Sequence, residues 1–143
     1  MTQPTYDDVK LILRLYEMRR EDKLRSARSW FSSTFKVKSL EAWNALCPPG
    51  SENNAYIRQV TTYWDMVASF ITGGVLNQEL FFESGRELLF VWTRIELVIA
   101  ELRASIKDPN FLKNLETVGT AFAEHLKKQN QAAYEGFVGR VRN

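Results

Sequence analysis

A chain of 143 residues that is 45% hydrophobic, 25% charged and 13% aromatic can bury its own core as one domain without disulfides or metals. Its 19 basic and 17 acidic residues leave a formal charge of +2, a balance that creates no demand for nucleic acid. Seven glycines and four prolines exclude a linker-like composition, and the single Cys47 excludes an internal disulfide, which fits a reducing, cytoplasmic compartment.

Punctuation divides the chain into long helical stretches. Pro4–Thr5 followed by Asp7 and Asp8 opens a first helix over about 6–35, with Val9, Leu13, Tyr16, Leu24, Ala27 and Phe31 on its inward face. Ser39 caps a short second helix over about 40–47. Pro48–Pro49–Gly50 ends that helix, and Ser51 caps a third over about 52–72. Gly73–Gly74 stops the third helix and Asn77 caps the fourth, over about 78–107, whose inward stripe holds Leu88, Trp92 and Ile95. Asp108–Pro109 starts the last, over about 109–139, with Leu115, Val118, Phe122 and Phe137 inward. No stretch alternates at period two, so the fold class is all-α. Short connections make the economical arrangement an up-and-down four-helix bundle, one helix broken at Pro48–Pro49, in a single domain spanning 1–143.

The longest uncharged stretch, Met66 to Gln78, has 13 residues, too few to cross a bilayer. No basic segment with a following apolar run opens the chain, so no secretory signal is expected. Charge is uneven: nine basic and five acidic residues occupy 1–38, whereas 39–108 hold five basic and nine acidic. The two segments are complementary, which suits attraction between neighbouring helices; a basic first helix built from Arg14, Arg19, Lys23, Arg25 and Arg28 is the alternative, a surface for nucleic acid or lipid headgroups.

Catalytic constellations are sparse. A di-iron bundle needs Glu-x-x-His on two helices, yet His125 is the only histidine and Phe122 stands three residues before it. Glu79, Glu83 and Glu87 read as a solvated face, so neither metal nor cofactor is expected. Cys47 has no basic neighbour to lower its pKa, and no nucleotide or hydrolase motif occurs. Arg20 interrupts the apolar face of the first helix, with Asp65 as its candidate partner in a buried ion pair; the two, with tyrosines, would also be the anion site of a small-pocket enzyme.

Surplus apolar surface is the more informative feature. Leu11, Leu15 and Met18 form a second stripe on the first helix, and Phe82, Leu89, Phe90 and Leu97 form one on the fourth. A bundle of four helices has no central member, so these stripes predict an interface. A non-catalytic interaction module follows, with a homodimer first among its partners, another protein or a membrane surface after it, and no integral membrane segment. An antiparallel copy of the fourth helix would set Arg86 and Arg94 against Glu83 and Glu87.

The blocks YDDVKLILRLYEMRREDKLRSARSWF (6–31), CPPGSENNAYIRQVTTYWDMVASFI (47–71) and GVLNQELFFESGRELLFVW (74–92) resemble a group of short bacterial helical proteins known only as a domain of unknown function. The likeness spans roughly residues 6 to 125. It implies a bacterial, helical, single domain and assigns no functional residue; some relatives carry an N-terminal membrane helix that this chain does not show.

Overall fold

The computed structural model describes residues 3–143, and among them every regular element is a helix. There are nine rather than four: α1 (Tyr6–Met18), α2 (Asp22–Thr34), α3 (Leu40–Leu46), α4 (Glu52–Thr72), α5 (Gln78–Ser84), α6 (Arg86–Ile95), α7 (Ile99–Ile106), α8 (Lys113–Gln129) and α9 (Gln131–Arg142). The four-helix count is thereby corrected: the predicted first, fourth and last helices are each broken.

Each break has a local cause. Between α1 and α2, Glu21 turns its carboxylate onto the backbone N–H of Leu24, starting a new helix where the sequence offered only charge. Gly85 separates α5 from α6, and a Cβ there would lie 2.3 Å from the Phe81 ring, so only glycine lets the two short helices meet. Asn130 accepts from the N–H of Ala133 and opens α9. Asp108 does not begin α8; it accepts from Asn110 in a turn, and Lys107 and Leu112 take left-handed conformations before Lys113. By contrast, Ser39, Ser51 and Asn77 cap the helices they were expected to cap, and Thr5 caps α1 where a helix start was expected.

The core is organised around α4, α6 and α8. Helix α4 packs against α2, α8 and α6, and α6 is further covered by α8 and α9. Leu88, Leu89, Val91, Trp92, Thr93, Arg94 and Ile95 of α6 are all buried, so α6 is a central helix. Trp92 seats on α8 at Gly119, where a Cβ would fall 2.4 Å from the indole Cγ. Phe31, Phe35 and Trp43 continue the core outward as a chain of ring contacts, stacked and then edge-on. Helix α1 is peripheral: Asp8, Leu11, Ile12 and Leu15 face inward, and Val9, Leu13 and Tyr16, expected in the core, face out.

Candidate functional site

The fourth-helix stripe dissolves into the chain's own core. Leu89 is fully buried, Phe82 stacks on Phe122 of α8 with ring centres 4.2 Å apart, and Phe90 meets Phe31 edge-on. Leu97 alone is left at the surface, in the bend between α6 and α7. On α1, Leu15 is buried and Leu11 half-buried, so of that stripe only Met18 is exposed. Reckoning the faces at a constant 100° per residue failed because the helix breaks at Gly85 and because α6 has neighbours all round.

Arg20 and Asp65 do not pair. Arg20 is exposed, and Asp65 accepts the N–H of Leu115 at 2.9 Å, capping α8 from α4. The ion pair between the basic and acidic segments lies elsewhere, at Glu87. Arg28 grips its carboxylate with two bonds, Nε to Oε2 and Nη2 to Oε1, both 2.7 Å, and Arg19 adds a third contact at 3.3 Å. Arg28 also donates to the Arg19 carbonyl, so one guanidinium fastens α1, α2 and α6 together. The Glu87 bond holds the Arg28 pKa above its usual value. Nearby, burial pushes the Tyr63 hydroxyl up to about 12, and it donates to the Leu15 carbonyl near the end of α1. The sequence set Glu79, Glu83 and Glu87 on one solvated face; Glu79 and Glu83 are exposed, but Glu87 is half-buried.

Arg94, expected at the surface to meet a glutamate of a second copy, is instead buried. It donates from Nε to the Val141 carbonyl at 2.9 Å and from Nη1 to the carbonyls of Phe31 and Ser32, in the last turns of α9 and α2. Helix C-termini present partial negative charge, so these carbonyls stand in for a carboxylate. The guanidinium lies over the Phe90 ring at 4.4 Å, and burial lowers its pKa.

Beside Arg94 opens a cleft of about 480 Å³ between α2, α6 and α9. Phe31, Val60, Phe90, Val91 and Phe137 form its floor. Arg25, Arg28 and Arg86 stand on its walls and rim with the hydroxyls of Ser29 and Ser32. Arg86 sits 5.8 Å from the Phe137 ring and makes no ion pair among the described residues. A second cavity of equal size, beside Asp8 and Asn77, has no such excess of charge: Asp8 accepts from the N–H of Asn77 at 2.8 Å and from that of Thr5 at 2.7 Å.

Nucleophiles are quiet. Burial pushes the Cys47 thiol up to about 11, which keeps it protonated at neutral pH. His125 lies against Phe82 and shares a hydrogen bond with Gln129. Among the described residues no group of three His, Cys, Asp or Glu side chains could hold a metal ion, and no helix is long and apolar enough to cross a membrane.

Val75, Leu97 and Ile106 are exposed singly, whereas on α1 the exposed apolar side chains are contiguous. Tyr6, Val9, Leu13 and Tyr16 are 72%, 39%, 59% and 47% accessible and recur at alternating spacings of three and four, so they form one continuous strip. Lys10, Arg14, Glu17 and Arg20 flank it, all exposed.

No curated protein and no solved structure matches the chain. A family model does, over residues 4–122, from just before α1 to the middle of α8. The chain belongs to the family described as Domain of unknown function (DUF4760).

Proposed function

We propose that the protein is a non-catalytic interaction module that self-associates through the outer face of α1. The observation carrying this reading is the Tyr6–Val9–Leu13–Tyr16 strip, which has the a and d spacing of a helix-pairing seam and stays exposed, with only the Lys10 ammonium over the Tyr6 ring and the Arg19 guanidinium over that of Tyr16. Charge supports a second copy in antiparallel register as the occupant. With Leu13 near the two-fold axis, Lys10 comes opposite Glu17 of the second copy and Asp7 opposite its Arg20, each pair of opposite sign. A parallel copy would lay Lys10 beside Lys10 and lose that match.

Four side chains from one helix make a small contact, in the class of weak, transient interfaces. A dissociation constant on the order of 100 µM, about −5.5 kcal/mol, is therefore expected. Sedimentation equilibrium should show a monomer–dimer transition in that range. Leu13→Glu should give a folded monomer at every concentration, whereas Leu97→Glu should dimerise like the wild type. Lys10→Glu should weaken the dimer, and adding Glu17→Lys should restore it. A wild-type protein that stays monomeric to about 1 mM removes the reading.

The anionic-partner alternative has less support. Arg19 and Arg28 are committed to Glu87 and Arg25 to Asp22, which leaves Arg14 and Lys23 of the five residues it needs.

A further inference from the structure

We propose that the cleft between α2, α6 and α9 is a binding site for a single-chain amphiphile with one anionic head group, of the fatty-acid type. The cavity, about 480 Å³, falls within the size range of small-molecule sites. Its floor is apolar and aromatic. A small inorganic anion would leave Phe31, Phe90 and Phe137 wetted, whereas an aliphatic chain covers them and gains their buried area.

The walls select the head group. Glu87 is one carboxylate shared by two guanidinium groups, so the Arg19–Arg28–Glu87 cluster retains a net positive charge. Arg94, behind Phe31 and Phe90, is answered by carbonyls and by no carboxylate among the described residues. Arg86 stands exposed on the rim with its guanidinium beside the Phe137 ring and free to meet a ligand. Arg86 and the net charge of the Arg19–Arg28–Glu87 cluster thus bring excess positive charge to one cleft in a chain whose total charge is +2. An anionic head at the rim, paired with Arg86 and within reach of the Ser29 or Ser32 hydroxyl, balances that field; a neutral head does not. Phe137 of α9, on the floor, lies beyond residue 122, where the family match ends. The site shares no residue with the α1 strip, so it stands or falls independently of self-association.

The test is isothermal titration with decanoate, held below its micelle-forming concentration, against decanol and acetate. One decanoate should bind saturably per chain, decanol at least tenfold more weakly, and acetate should give no binding heat. Arg86→Glu should weaken decanoate at least tenfold, and Ser29→Trp, which fills the cleft from an exposed rim position, should abolish it. Both substitutions lie at the surface, and circular dichroism and melting should match the wild type. Equal affinity for decanol, or binding that survives either substitution, would overturn the proposal. So would capture by anionic phospholipid vesicles without uptake of decanoate, which would assign the basic rim to a membrane surface.

Discussion

Arg94 is held by the ends of helices rather than by an acid, and this arrangement makes a sharp claim about stability. Its charge has been taken out of water, and three carbonyls of the last turns of α2 and α9 compensate it. Replacement by Met keeps the length and removes both the desolvation cost and the charge-assisted bonds, leaving those helix ends less well capped. The net loss should be about 3 kcal/mol in urea unfolding, because hydrogen bonds to a charged group are worth about 1.5–3 kcal/mol each before the relief is subtracted. Arg94→Lys should recover less than half of it, since one ammonium cannot fork between α2 and α9. Asp8 makes the complementary claim about pH. The backbone N–H groups of Asn77 and then Thr5 hold its pKa below the usual carboxylate value, as the N–H of Leu24 does for Glu21. A depressed folded-state pKa gives stability that is present above the unfolded value, near 4, and is lost as pH falls through the folded one. Melting temperature should therefore drop on acidification from about pH 5 to pH 2, and the drop should be shallower in Asp8→Asn. Both residues show the limit of the sequence at this scale. Ser39, Ser51 and Asn77 were legible because a cap bonds within three residues of itself; Arg94 bonds to residues 47 and 63 positions away.

At the scale of elements, the sequence located helix starts better than helix interruptions. A start carries its own chemistry, whereas the break at Gly85 rests on a close approach to the Phe81 ring that no cap or proline marks. Gly119 also depends on a close approach. In an exposed helix, Gly→Ala gains up to about 1 kcal/mol from propensity alone. At Gly119 the added methyl would enter the Trp92 side chain at its Cβ and Cγ, atoms that cannot swing aside without moving α6. Overpacking costs about 1–3 kcal/mol, so Gly119→Ala should be destabilising on balance. Chemical denaturation would decide it, with Gly139→Ala, which meets nothing within 4 Å, as the control that should not lose stability. The deep burial of Trp92, expected from its stripe, is where the local pattern and the tertiary packing agree: the indole is 3% exposed.

At the scale of the molecule, the surplus of apolar residues was a true signal whose explanation changed. It predicted an interface because four helices leave none in the middle; nine shorter helices give α6 a central place, and the chain spends Leu89, Phe82 and Phe90 on itself. The strip that stays outside belongs to α1, a helix at the periphery of the core. Long-range polar links tie it down at three places: Asp8 to Asn77, the Leu15 carbonyl to Tyr63, and Arg19 with its carbonyl to Glu87 and Arg28. The complementarity between the basic first segment and the acidic middle is realised mainly at the last of these.

Glu87 therefore governs how firmly α1 and the start of α2 are held, while α4 and α8 have their own apolar contact. Glu87→Gln keeps the shape but gives Arg28 and Arg19 an amide that cannot accept at both positions. Their side chains are 22% and 12% exposed, so water only partly replaces the lost charge. A global cost of about 2 kcal/mol follows, below the range for a fully buried pair. The distinguishing readout is local. Hydrogen exchange should quicken across residues 6–28 by more than the global loss accounts for, while the amides of α4 and α8 slow or quicken only with overall stability. If exchange instead rises uniformly through α4, α6 and α8, the Glu87 cluster is part of the core's own cooperativity and α1 is no separate unit. The proposed dimer should respond too: a seam carried on a helix that opens more often is available in its paired geometry for less of the time, so Glu87→Gln should weaken the proposed self-association without touching the strip.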